Sequence, residues 1–243
     1  MKKNVLLIIL GVITVCCIIY GSTKHLKGFK SIFRDGGIHI SFDDYDESEK
    51  DSSSGKFEID EKIEKFSSIR INAAVMGLTI EEGTDFNIDA FYTKDYLKPE
   101  INIKNGGLEI VQHGKKNGFN NGNQNCRVVI TVPGGTDLND VDIDTNVGDV
   151  KIRELKIGKI DINLNVGEID VNNVDFDSLD CDTNVGEISI NPVSKLDDYD
   201  ISASTDVGSV SVEGRSYKRS YNSRGNGKKR IKADTNVGEI KIK

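Results

Sequence analysis

The sequence predicts an all-β chain, a single-stranded β-solenoid of short repeats preceded by one transmembrane helix, and three observations predict it. From residue 141 onward one unit recurs, with its first three copies about 19 residues apart, a period typical of solenoids. Inside each unit apolar and polar residues alternate, break phase at a glycine and alternate again, which describes strand, corner, strand. Aromatics are only 7%, Trp is absent and Gly numbers 24 in 243 residues, a composition of short β-branched strands and turns rather than helices.

The elements follow in chain order. Residues 1–4, with Lys2 and Lys3, are expected to form a cytoplasmic tail, and residues 5–23 are apolar or neutral over about the ~20 positions that cross a hydrocarbon core. Small residues suited to cleavage are not placed around Tyr20, and Val15 precedes Cys16 where a lipidated cysteine wants a small neighbour, so a retained signal-anchor is expected. Lys24, Lys27, Lys30 and Arg34 follow the span and by themselves would favour the opposite orientation. Long soluble domains cross largely regardless of charge, and the expectation is a single-pass protein of the cell membrane with an extracytoplasmic C-terminal domain. Residues 24–56 form a juxtamembrane segment and an acidic, Ser-rich spacer with little to bury. The β-repeat domain then occupies residues 57–243.

Its clear copies are residues 141–152, 160–171, 179–190, 201–212 and 231–242, with corner glycines Gly148, Gly167, Gly186, Gly208 and Gly238. In the third copy Leu179, Cys181, Thr183, Val185, Ile188 and Ile190 are expected to face inward, so Cys181 reads as a core residue. The Asn or Asp two residues before each glycine is placed to close the corner through its own side chain. Consecutive coils stacked about 4.8 Å apart would share one aliphatic interior. An antiparallel β-sandwich is the alternative, because alternation alone does not fix strand direction. Residues 69–80, with Met76 at the glycine place, and 101–110 read as divergent early coils; residues 117–125 and 214–229 read as excursions.

The N-terminal apolar anchor, the Val132-Pro133 punctuation and the recurring Asn-Val-Gly-(Asp/Glu)-Ile units resemble the bacterial "putative adhesin" family of β-strand-repeat domains of unknown function, which includes LiaG-like membrane-anchored envelope proteins. The likeness covers residues 57–243. It implies a β-helical domain near the membrane, a link to envelope stress, and no catalytic residues to carry over.

The chemistry on offer is sparse. A net charge of -7 argues against nucleic acid as a partner. Stacking would set Asp142, Asp144, Asp149, Asp161, Glu168, Asp180, Asp182, Glu187, Asp234 and Glu239 in like-charged rows that need compensation. The calcium-loop likeness beginning at Asp142 fails at Val147 and Arg153, so no metal and no cofactor are expected. No acid pair stands apart as a glycosidase site, and His25, His39 and His113 belong to no nucleophile or zinc motif. Cys126 and Cys181 read as reduced thiols, with a disulfide as the alternative. One segment departs from the acidic background: Arg215, Tyr217, Lys218, Arg219, Tyr221, Arg224, Lys228, Lys229 and Arg230, without an acid among them, form the candidate contact for an anionic cell-wall polymer, lipid headgroups or another envelope protein. The function expected is non-catalytic binding, adhesion or envelope-stress sensing at the bacterial surface. The alternative is a carbohydrate-active or calcium-dependent sugar-binding β-helix.

Overall fold

The computed structural model describes residues 57–114 and 125–243, together with two short antiparallel strands, β1 (Phe33–Arg34) and β2 (Gly37–Ile38). The expected tail, membrane span and most of the spacer, His25, His39 and all but the last residue of the 117–125 loop lie outside the described residues. Among the described residues no helix is long and apolar enough to cross a membrane.

The domain begins with β3 (Phe57–Lys62), β4 (Ser68–Val75), β5 (Gly77–Gly83) and β6 (Asn87–Tyr92). β7 (Glu100–Lys104), β8 (Gly107–Gln112) and β9 (Cys126–Pro133) follow. The regular winding then starts with β10 (Asp137–Val147), β11 (Val150–Arg153), β12 (Lys156–Val166), β13 (Ile169–Val185) and β14 (Ile188–Pro192). The last part is β15 (Tyr199–Val212), β16 (Arg215–Tyr217), β17 (Ser220–Ser223) and β18 (Lys229–Ile242).

Each coil contributes one leg before its corner and one after, so two ladders run along the stack. The first runs β7, β8, β4, β10, β12, the second half of β13, then β18, β15 and β17. The second runs β3, β6, β9, β5, β11, the first half of β13, β14, then β18, β15 and β16. Pairing between the repeat coils is parallel and in register, Ile143 opposite Ile162 and Ile162 opposite Cys181, with one shift between Asn172 and Val174. The fold is therefore a β-solenoid, and the antiparallel sandwich is excluded for the repeat region.

The register explains the interior. Ile69, Val141, Ile160, Leu179, Ile231 and Ile201 make one buried row, and Leu78, Val150, Ile169, Ile188, Ile240 and Val210 face it from the other ladder in a single core. Each fully buried aliphatic side chain contributes about 1.5–3 kcal/mol. Val185, expected inside, is half-buried, and its counterpart Val207 is 40% exposed, because the phase break begins one residue before the glycine. The corner glycines hold φ between +144° and +158°. A Cβ on Gly167 or Gly186 would run into the carbonyl oxygen of the corner beneath it, Gly148 or Gly167. Side chains are thus excluded on two counts. The corner asparagines do not close their own corners. They bridge coils instead: Asn165 donates to Asn146 (2.6 Å), Asn184 to Asn165 (2.6 Å) and Asn236 to Asn184 (2.7 Å).

Two further expectations are corrected. Residues 101–110 are not a coil; Asn105 and Gly106 both take positive φ (52° and 73°), the signature of a tight turn, and join β7 to β8 as an antiparallel hairpin at the end of the stack. Residues 69–80 do form a coil, with Met76 aligned to Gly148. The coils do not pile up wholly in sequence order, since β18 lies between β13 and β15. The stack consequently does not end openly at Lys243, whose backbone N–H donates to the Ile190 carbonyl (2.9 Å) inside it.

Candidate functional site

The candidate site is the end of the stack built from β15 to β18, and its layout begins with a step in the chain. After β14 the 3-10 turn Leu196–Asp198 carries the chain outward by one extra coil, leaving a slot. Tyr199 fixes the step: it is fully buried, its ring lies 5.2 Å from Phe176, and its hydroxyl donates to the Phe176 carbonyl at 3.3 Å. β15 therefore becomes the outer coil and β18 returns into the slot.

Charge explains why β18 and not β15 fills it. The coil below presents Asp175, Asp180 and Glu187. β18 brings Lys229 to Asp175 (2.6 Å), Lys232 to Asp180 (3.0 Å) and Lys241 to Glu187 (2.8 Å). β15 carries Ser202 and Ser211 opposite Lys232 and Lys241 and could not neutralise those acids. Elsewhere the expected like-charged rows are broken in the same manner, by Arg70 at Asp142 (3.4 Å) and Lys159 at Asp161 (3.5 Å).

The pKa directions report this pairing. The Lys229 hydrogen bond holds the Asp175 carboxyl below its usual range. Burial opposes the Lys229 charge, but the Asp175 hydrogen bond and nearby charges outweigh it and raise the ammonium. Lys232 is raised chiefly by its hydrogen bond to Asp180, and Lys241 is raised because Glu187 and Glu239 overcome the burial cost. Burial pushes the Cys126 thiol up to about 12 and the Cys181 thiol well above its ordinary value. Both are free cysteines in the core, without a disulfide between them.

The 214–229 excursion is a cap. β16 pairs antiparallel with the second leg of β15, Val210 opposite Tyr217, and β17 with the first leg, Ala203 opposite Tyr221. This register continues the inward rows past the last coil, so Tyr217 and Tyr221 meet (centroids 4.7 Å apart), half-buried against the core, and plug its end. Of the cations singled out in the sequence, Lys229 is held by Asp175, Ser194 (3.2 Å) and the Tyr199 ring (5.7 Å), and Arg230 reaches Ser178 (3.4 Å). Arg215, Lys218, Arg219, Arg224 and Lys228 are exposed, and no ion pair joins them to an acid among the described residues. The structure thus divides the cluster into one cation held by an acid (Lys229), one exposed cation touching a serine (Arg230), two half-buried tyrosines and five exposed cations without an ion pair among the described residues. His113 is exposed, and among the described residues no group of three acids, histidines or cysteines is placed to hold a metal.

Stacked coils with a glycine corner and a plug at each end define a capped β-solenoid domain. The chain belongs to the Toastrack DUF4097 family, whose model matches residues 66–194 and 134–243. Its fold is similar to that of a "putative cell adhesion protein" from Clostridium sporogenes ATCC 15579, with 21% identity, 77% of this chain and 99% of that chain covered, and a TM-score of 0.59. A "putative adhesin" from Bacteroides fragilis NCTC 9343 is more distant, at 14% identity over 78% of this chain and 97% of that one with a TM-score of 0.37. No curated protein matches the chain.

Proposed function

We propose that this Toastrack chain is a non-catalytic binding domain of the bacterial envelope, anchored in the membrane by residues 5–23 and turned outward, serving adhesion or the sensing of envelope stress. The observation that carries the reading is the contrast between a filled interior and five exposed cations in the 214–229 excursion that pair with no acid among the described residues. The core is packed with aliphatic side chains from end to end, and several acids of the flanks, Asp142, Asp180 and Glu187 among them, are paired with lysines or an arginine. Chemistry that needs two carboxylates of different character across a bound sugar has no separate pair to use. Contact therefore falls to the outer surface, and the described structural neighbours named for adhesion agree with that role. Protease shaving of intact cells is expected to remove residues 57–243, and the purified full chain is expected to co-sediment with isolated bacterial envelopes. Release of sugar fragments from those envelopes, abolished by one Asp→Asn change, would instead establish the carbohydrate-active alternative.

A further inference from the structure

We propose that two copies of this chain join through the open edge of β7, Glu100–Lys104 of one copy pairing antiparallel with the same strand of the other about a two-fold axis at Asn102. The contact lies apart from the cations of the 214–229 excursion and goes beyond the surface-binding reading. Three observations carry it.

The first is a free edge over a continuing interior. Among the described residues β7 bonds only β8, so one side of its backbone has no strand beside it. Ile101 lies opposite Ile110 and Ile103 opposite Leu108, which in turn oppose Ile71 and Ile69, so the two isoleucines prolong the aliphatic rows of the first ladder by one level. They are half-buried, whereas Leu108 and Ile110 beneath them are buried. An edge of this kind is a template for another strand.

The second is which backbone groups face outward. Lys104 and Gly107 flank the Asn105-Gly106 turn, so they make the hydrogen-bonded closing pair of a two-residue hairpin. Alternation along an antiparallel ladder then turns the N–H and C=O of Glu100, Asn102 and Lys104 toward β8, and those of Ile101 and Ile103 toward the free edge. With Asn102 set opposite itself, Ile101 of one copy meets Ile103 of the other, and the outward groups of both strands satisfy each other. Pro99, which has no N–H, and Asn105, at φ 52°, bound the pairing at its two ends.

The third is charge. The same register places Glu100 of each copy opposite Lys104 of the other, on the outer face where both are exposed, and brings the two Asn102 amides together at a closely spaced, non-hydrogen-bonded position. Glu-Ile-Asn-Ile-Lys read against its own reverse is matched throughout, acid to base, isoleucine to isoleucine and amide to amide. The domain's other open edges lack this property. β3 read against itself over its six residues sets Ile59 opposite Asp60, and β16 and β17 lie among Arg215, Lys218, Arg219 and Arg224, like charges that a second cap would meet. A two-fold contact uses one patch on both subunits and closes at two copies, whereas β7 laid head to tail on β17 would run on into filaments.

The test uses the full chain in nonionic detergent, with Cys16 and Cys17 replaced by Ser. Light scattering after size-exclusion chromatography is expected to show a monomer–dimer equilibrium as concentration rises to about 0.5 mM. Glu100→Lys and Lys104→Glu should each raise the dimer dissociation constant about tenfold, because symmetry makes each change reverse both charge pairs, and the two combined in one chain should restore it to within about twofold. Asn102→Cys should link two copies through a disulfide on mild oxidation, while Glu109→Cys, its neighbour on β8, should not. The melting curve should be unchanged in all these variants. Should a charge variant melt early, the contrast between Asn102→Cys and Glu109→Cys decides. A chain that stays monomeric over that range overturns the proposal, as does a dimer indifferent to the charge changes, cross-linking that Glu109→Cys supports as well as Asn102→Cys, or species that keep growing beyond two copies.

Discussion

From β10 to β14 the chain winds coil upon coil in sequence order, whereas from β15 to β18 it winds two coils and stacks them in reverse. The aliphatic rows do not distinguish the two arrangements. Ile201, Ala203, Val210 and Val212 would serve as an inner coil about as well as Ile231, Ala233, Ile240 and Ile242, with which they are in register. What differs is the outward set: β18 carries lysines where β15 carries serines, opposite a coil rich in acids. The apolar pattern builds a coil, and the polar pattern decides where in the stack it goes.

The comparison can be broken most severely at what both regions share. Gly186→Val places a branched side chain at φ +158° against the Gly167 carbonyl and should cost about 3–5 kcal/mol or abolish folding, read by urea denaturation. Gly214→Ala, also at positive φ (+74°) but in open space, should cost only about 1 kcal/mol and calibrates strain without collision.

The charge argument is next in size. Lys232→Glu with Lys241→Glu sets like charges against Asp180 and Glu187 and should destabilise by about 2 kcal/mol, with faster amide exchange in β18 and β15 than in β10 and β12. A loss confined to β10–β12 would refute the idea that these lysines place β18. Lys229→Met should cost about 1 kcal/mol at neutral pH, a value discounted for the partial exposure of the pair. Because the folded Asp175 carboxyl titrates below its unfolded value of about 3.9, its contribution is complete above that value and is lost as pH falls through the folded one. The gap in Tm between wild type and Lys229→Met should therefore close in acid.

The smallest effect concerns the thiols. With burial pushing the Cys126 thiol up to about 12 and that of Cys181 well above its ordinary value, neither should react with a thiol reagent at about pH 8 until denaturant is added.

Much of the winding was legible from residues alone. The period, the corner glycines and the inward place of Cys181 follow from alternation and one phase break, because a parallel stack repeats the same constraint at each level. Three things were not. An Asn-Gly pair at 105–106 marks a hairpin more specifically than the alternation around it suggests a coil. Coil order depends on which acids meet which lysines across a ladder, and that requires knowing the ladder. The cap was hidden because its strands are short and polar, and only the spacing of Tyr217 and Tyr221 against Val210 and Ala203 reveals that they end the core. The same pairing sorted the candidate cations, since Lys229 and the outward five look alike in sequence.

The placement of β18 makes it a keystone rather than a finishing layer. While a ribosome has yet to deliver the residues beyond 228, the coil of Asp180 and Glu187 and the coil of Ser202 and Ser211 each face an empty level, and neither ladder is continuous. Premature termination there would take away a level from the middle of the column, so a truncated product should present two raw strand edges to proteases and to other chains instead of a slightly shorter version of the domain.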